Sequence, residues 1–298
     1  MLATGNEDSL NLTRIQLTPD GAGTVGSEEA LSTGHLRDRF PAISPDGRNI
    51  VVSTNRIGDE GLWMVAVGSK QWTRVELPAD ATAKINEACW APSGQELVVK
   101  RFLRDGNASM WRVAVDGSTA EPLTGPEPTI GGTFPCAFSS DGRKFVYSRI
   151  VEGFSQVYMF DMTTRSARQL TLSRSNKNQA TWSPDGKWVA FSNNTKGATQ
   201  VARMPSAGGK EELLTSGFER KLHFFYSPDG RWLYVQPSHR NIYRMPANGG
   251  PLQPVTRFTE PNLFLEEPTI APDGSYLAYN RSSGGSSLWL LTIGERAY

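Results

Sequence analysis

The chain has 298 residues, with 31 basic against 30 acidic side chains and a net charge of +1. Such a balance, without clustered Lys and Arg, argues against a nucleic-acid footprint. No apolar run approaches the roughly 18 residues needed to cross a membrane.

At the N-terminus, residues 1–12 include Asn6, Glu7 and Asp8 and hold no apolar stretch, so no signal peptide is read there. Leu10 to Leu17 alternates like a strand. Gly21-Ala22-Gly23-Thr24-Val25-Gly26 matches G-x-G-x-x-G. A dinucleotide site would need a helix to open at that motif, whereas a polar strand-like segment follows, so it reads as a glycine-bearing turn. Ser27 to Ser32 is a further short strand candidate.

From residue 43 one unit recurs. It reads Ser44-Pro45-Asp46-Gly47, Ala91-Pro92-Ser93-Gly94, Ser139-Ser140-Asp141-Gly142, Ser183-Pro184-Asp185-Gly186, Ser227-Pro228-Asp229-Gly230 and Ala271-Pro272-Asp273-Gly274. Successive glycines are 47, 48, 44, 44 and 44 residues apart. A period in the forties points to propeller blades. Pro presets φ, Asp bonds the backbone after it, and Gly takes the positive φ, so each copy is a hairpin turn. An apolar residue precedes each turn (Ile43, Trp90, Phe138, Trp182, Tyr226, Ile270) and a β-branched or aromatic run follows, as in Trp188-Val189-Ala190-Phe191. A third strand comes next, as in Met110-Trp111-Arg112-Val113, with Arg203 and Arg244 at the place of Arg112. The fourth is polar and tolerates Pro122 and Pro254, as an outer edge does. No window shows sustained helical spacing. Four strands repeated six times predict an all-β, six-bladed propeller of four-stranded antiparallel blades.

The last repeat ends at its third strand, Ser287 to Ile293. Ser27 to Ser32 is expected to pair outside it and close the ring, giving a propeller over 27–298 and an extra strand or arm over 1–26. Leu10 to Leu17 is then a seventh copy of the third strand. Either it is a displaced arm, or the chain starts partway through a blade of a longer propeller; the abrupt opening at Met1-Leu2-Ala3 favours the second.

Cys89 and Cys136 lie five and six residues before their turn glycines. Adjacent offsets face opposite sides of a strand, so a disulfide is possible but not indicated, and two small buried thiols are expected. His35, His223 and His239 share no short spacing and no Cys partner, so no metal and no cofactor are expected. G-x-S-x-G is absent, and the turn aspartates are explained as turn formers.

Function on such a scaffold belongs to the loops around the channel mouth. Connections between fourth and next first strands offer His35, Arg37, Arg39, Lys84, Asn86, Glu87, Asn178, Gln179, Arg220, His223, Glu266 and Glu267. Those between second and third strands offer Arg101, Arg149, Arg240 and Arg281. The set leans basic and suits a polar peptide or acidic ligand. The expectation is a non-catalytic binding propeller with a protein or peptide partner, no nucleic acid and no membrane insertion, a monomer being favoured.

Trp182-Ser183-Pro184-Asp185-Gly186-Lys187-Trp188-Val189-Ala190-Phe191-Ser192 resembles the repeat of TolB-like propellers, which are related to WD-type repeats. The resemblance covers about residues 35 to 293, with departures at Ser93 and Ser140. It implies the fold and a bacterial protein, and carries no catalytic residues. Similar repeats serve as the periplasmic TolB propeller, as sensor ends of Ser/Thr kinases and winged-helix regulators, and as gating propellers of tricorn-like and prolyl-oligopeptidase-like peptidases. A periplasmic or extracytoplasmic location follows from the resemblance alone. The rival readings are an accessory peptidase propeller and a metal-dependent hydrolase or lyase working in the channel.

Overall fold

The computed structural model describes residues 2–6, 9–56, 58, 61–77, 84–103, 106–128, 136–195, 197–218, 222–283 and 286–290, without the side chains of 2–6, 84–86, 128, 283 and 286–290. Among these residues there is no helix.

Six antiparallel sheets each run from a first, inner strand to a fourth, outer one. Blade 1 comprises Arg39–Ile43, Asn49–Thr54, Gly61–Ala66 and Trp72–Arg74. Blade 2 comprises Lys84–Trp90, Glu96–Phe102, Asn107–Ala114 and Ala120–Pro122, with Glu127–Pro128 added beside Asn107. Blade 3 holds Ala137–Phe138, Lys144–Val151, Phe154–Asp161 and Ser166–Gln169. Blade 4 holds Asn176–Trp182, Trp188–Thr195, Ala198–Pro205 and Glu212–Leu213. Blade 5 holds His223–Tyr226, Trp232–Gln236, Tyr243–Pro246 and Gln253–Pro254.

Blade 6 departs from the expected closure. Its first two strands are Leu263–Ile270 and Tyr276–Ser283. Its third is Asn11–Leu17, paired with Tyr276–Arg281, and its fourth is Thr24–Ala30. The segment expected as a surplus arm is therefore the third strand. Ser286–Leu290, expected in that place, pairs instead with Leu2–Asn6 as a separate two-stranded ribbon. Arg14 shows why. Its guanidinium lies 5.6 Å from the Tyr276 ring centroid and 2.6 Å from Glu29. Arg203 does the same on Trp188 and Glu212, and Arg112 pairs with Glu121. The C-terminal copy has Leu290 where these strands have Arg.

The hydrophobic core is split into six clusters, each between two neighbouring blades. Aromatic and branched side chains fill these wedges, and apolar burial there drives the assembly. The first strands touch one another in cyclic order, including blade 6 against blade 1, so the ring is closed.

Cys89 and Cys136 are joined by a disulfide, their Cα atoms 5.6 Å apart, which corrects the expectation of two separate thiols. Opposite facing is what a bridge between stacked sheets requires. Cys89 looks from blade 2 towards blade 3, Cys136 looks back, and both sit in the one cluster between them.

Candidate functional site

The position seven residues before the turn glycine falls on five of the first strands and forms a ring with one gap: Phe40, Glu87, Gln179, His223 and Glu267, Pro135 being the sixth by sequence. Pro135 lies outside the described residues. Register shifts interrupt the pairing at or beside this position in blades 1, 2, 4 and 6. Phe40, Gln179 and Glu267 take φ of 54°, 51° and 55° there, a conformation that non-glycine residues hold only when the surroundings enforce it. In blades 1, 2, 4 and 6 the bulge takes the side chain out of the regular alternation.

Each of these bulge residues lies near one on the second strand, six after the turn glycine. Glu87 lies 3.6 Å from Lys100, and both are buried. Burial raises the Glu87 carboxyl and lowers the Lys100 ammonium, each against the pull of the other. Glu267 accepts hydrogen bonds from Asn280 Nδ2 at 3.0 Å and from the Phe40 backbone N–H of blade 1. Burial pushes Glu267 up to about 7, Phe40 opposes the rise, and the charges of Glu266 and Glu87 add to it. Gln179 donates to the Phe224 carbonyl of blade 5 at 3.0 Å. Gln236, opposite His223 in register, donates to Leu265 O of blade 6 at 3.0 Å. The ring thus fastens blade to blade.

Among the described residues, three buried acceptor oxygens at or beside these positions find no hydrogen-bond donor: Gln179 Oε1, Gln236 Oε1 and Asn280 Oδ1. Buried acceptors normally find donors, and the Glu87 carboxylate has one in the Lys100 ammonium. Among the described residues, no three His, Cys, Asp or Glu side chains are grouped to hold a metal ion.

Of the residues singled out in the sequence, Glu87, Gln179, His223 and Glu267 belong to the ring. Arg39 and Glu266 act electrostatically on Glu267. Asn178 lies beside the ring and accepts from Ser192 Oγ at 2.9 Å. His35 and Arg37 are exposed at the entry to blade 1, where the Arg37 N–H bonds Asn55. The other arginines are held by internal partners. Arg281 pairs with Glu28 and Glu260, and Arg149 with Glu127. Arg240 donates to Pro261 O, and Arg101 stacks on Trp111. The side chains of Lys84 and Asn86, and all of Arg220, lie outside the described residues. The amide and lysine partners of the ring were missed: Lys100, Gln236 and Asn280. Their common offset from the turn glycine was the available signal.

The profile of the TolB beta propeller domain family matches residues 127–297. No curated protein matches the chain. Among solved structures, a putative TolB from Agrobacterium tumefaciens is 19% identical, with a TM-score of 0.72 over 92% of this chain and 99% of that one. TolB from Acinetobacter baumannii is 16% identical, with a TM-score of 0.63 over 93% of this chain and 64% of that one. An oligogalacturonate lyase from Vibrio parahaemolyticus is 12% identical, with a TM-score of 0.62 over 95% and 96%. At these identities the likeness is one of fold.

Proposed function

The chain belongs to the TolB beta propeller domain family, and from that premise we propose that it is a binding propeller with no chemistry of its own, taking a segment of a protein partner at the channel mouth. The observation that carries this reading is the acceptor-rich set of ring positions at one end of the blades, Glu87, Gln179 and Glu267 with Gln236 and Asn280 beside them. An extended peptide supplies backbone N–H groups, and a Lys or Arg side chain supplies more. Ring residues locked between blades meet such a ligand preorganised, at low ordering cost. With Arg101, Arg149, Arg240 and Arg281 held by internal partners, the mouth suits donors better than the acidic ligand that composition first suggested. The disulfide supports an oxidising, extracytoplasmic setting.

The test places a photo-crosslinking residue at Arg39, beside the ring, and separately at Arg231, on a blade turn at the opposite end of the strands. Crosslinks to one polypeptide from position 39 and not from 231 are expected. Equal labelling at both positions, or turnover of oligogalacturonate by the purified chain with manganese, would overturn the reading.

A further inference from the structure

The repeated turns pack on one another around the face away from the mouth. A Cβ placed on each turn glycine would meet the turn proline of the preceding blade: Gly47 meets Pro272 at 3.8 Å, Gly94 meets Pro45 at 3.8 Å and Gly142 meets Pro92 at 3.4 Å. Gly230 meets Pro184 at 3.4 Å and Gly274 meets Pro228 at 3.9 Å. Gly186 has nothing within 4 Å, because blade 3 carries Ser140 where the others carry proline.

A cleft of about 390 Å³ opens there, against about 280 Å³ between blades 2 and 3 and about 140 Å³ between blades 5 and 6. Trp182 and Met159 line it, with Lys144 and Arg168. The carboxylates beside them are engaged by their own turns: Asp141 accepts from Ser139 Oγ, and Asp185 from Ser183 Oγ, both at 2.6 Å. Asp185 also pairs with Lys187. Lys144 and Arg168 make no ion pair among the described residues. The indole of Trp90 donates to Ala42 O across the blade 1–2 interface, whereas that of Trp182 has no acceptor.

We propose that the cleft between blades 3 and 4 docks an extended, proline-containing segment of a partner protein, with a proline ring seated over Gly186 and acidic flanks facing Lys144 and Arg168. The chain itself shows the fit five times, in its own proline-on-glycine contacts. A preformed proline segment loses little entropy on binding, and an aromatic wall is its usual companion. This site is separate from the channel mouth and does not depend on it.

The probe is a fluorescein-labelled peptide of three consecutive prolines flanked by glutamates, followed by anisotropy, with a counterpart carrying alanines for the prolines. Saturable binding of the first is expected, with the alanine peptide at least tenfold weaker. Ser140→Pro fills the place from within and is expected to weaken binding at least tenfold while thermal unfolding stays cooperative. Should that variant misfold, Ser140→Val serves for the same comparison. Arg168→Ala is expected to weaken the glutamate-flanked peptide severalfold and to leave a glutamine-flanked one unchanged. Absence of saturation at millimolar peptide, equal binding by the two peptides, or unaltered binding by the filled variants would overturn the proposal.

Discussion

Pro272 Cδ lies 3.8 Å from the Cβ position of Gly47, so the last turn of the series packs on the first. The same proline-on-glycine contact repeats around the ring and lapses at Gly186. Ser140→Pro restores it and fixes the φ of a turn position, which removes entropy from the unfolded chain. A gain of about 0.4–1 kcal/mol is expected, read as a higher urea midpoint at unchanged m-value. A loss of stability would show that Ser140 has a backbone its neighbours in the series do not share.

The Cys89–Cys136 bridge closes a loop with a sequence separation of 47. Chain-entropy reasoning for a loop of that size gives about 4 kcal/mol, and measured bridges of this kind contribute about 2–4 kcal/mol. Urea unfolding with and without dithiothreitol is expected to differ by that amount. Cys136→Ser should match the reduced protein and should not respond to reductant.

Glu267 titrates near 7 when folded, against an ordinary 4.5. Between those values the folded chain holds a proton that the unfolded chain has released, so the contribution of Glu267 to stability falls as pH rises across the window. The turn carboxylates act with the opposite sign. Ser227 holds Asp229 down to about 2, so its contribution is present above 3.8 and is lost as pH falls towards 2. Glu267→Gln is expected to flatten the decline in urea midpoint between pH 5 and pH 7.5 and to leave the acid limb unchanged. An unaltered slope would assign the decline to another group.

Leu12 is fully buried in the cluster between blades 6 and 1. As part of the third strand of a blade, Leu12→Ala is expected to cost about 2–5 kcal/mol in urea unfolding. An arm lying over a finished ring would give a much smaller change.

Blade number, strand order within each blade and the turn chemistry were legible because they repeat. A local rule, Pro-Asp-Gly or a one-residue variant of it between two apolar runs, was read six times over. The closure was harder because Leu12 to Ile15 and Leu288 to Leu291 both fit a third strand. Arg14 decided between them, through Tyr276 and Glu29, and only the paired sheet shows what that arginine is for. The ring residues Glu87, Gln179, His223 and Glu267 were all picked as loop candidates, yet their shared offset from the turn glycine went unread. A bulge overrides simple alternation, so no period-two pattern marks them. The arginines were picked for their charge, but internal partners occupy them, and one of these, Glu28 for Arg281, comes from the far end of the chain. The disulfide was obscured by a correct premise: opposite faces prevent bonding within one sheet and permit it between two.

Because Asn11–Leu17 completes a sheet begun by Leu263–Ile270, the strand made earlier stays single until those made later arrive. An apolar edge is thereby left unguarded during synthesis. Segments from neighbouring nascent copies can compete for that vacancy, so intermolecular strand exchange is the characteristic error this topology invites.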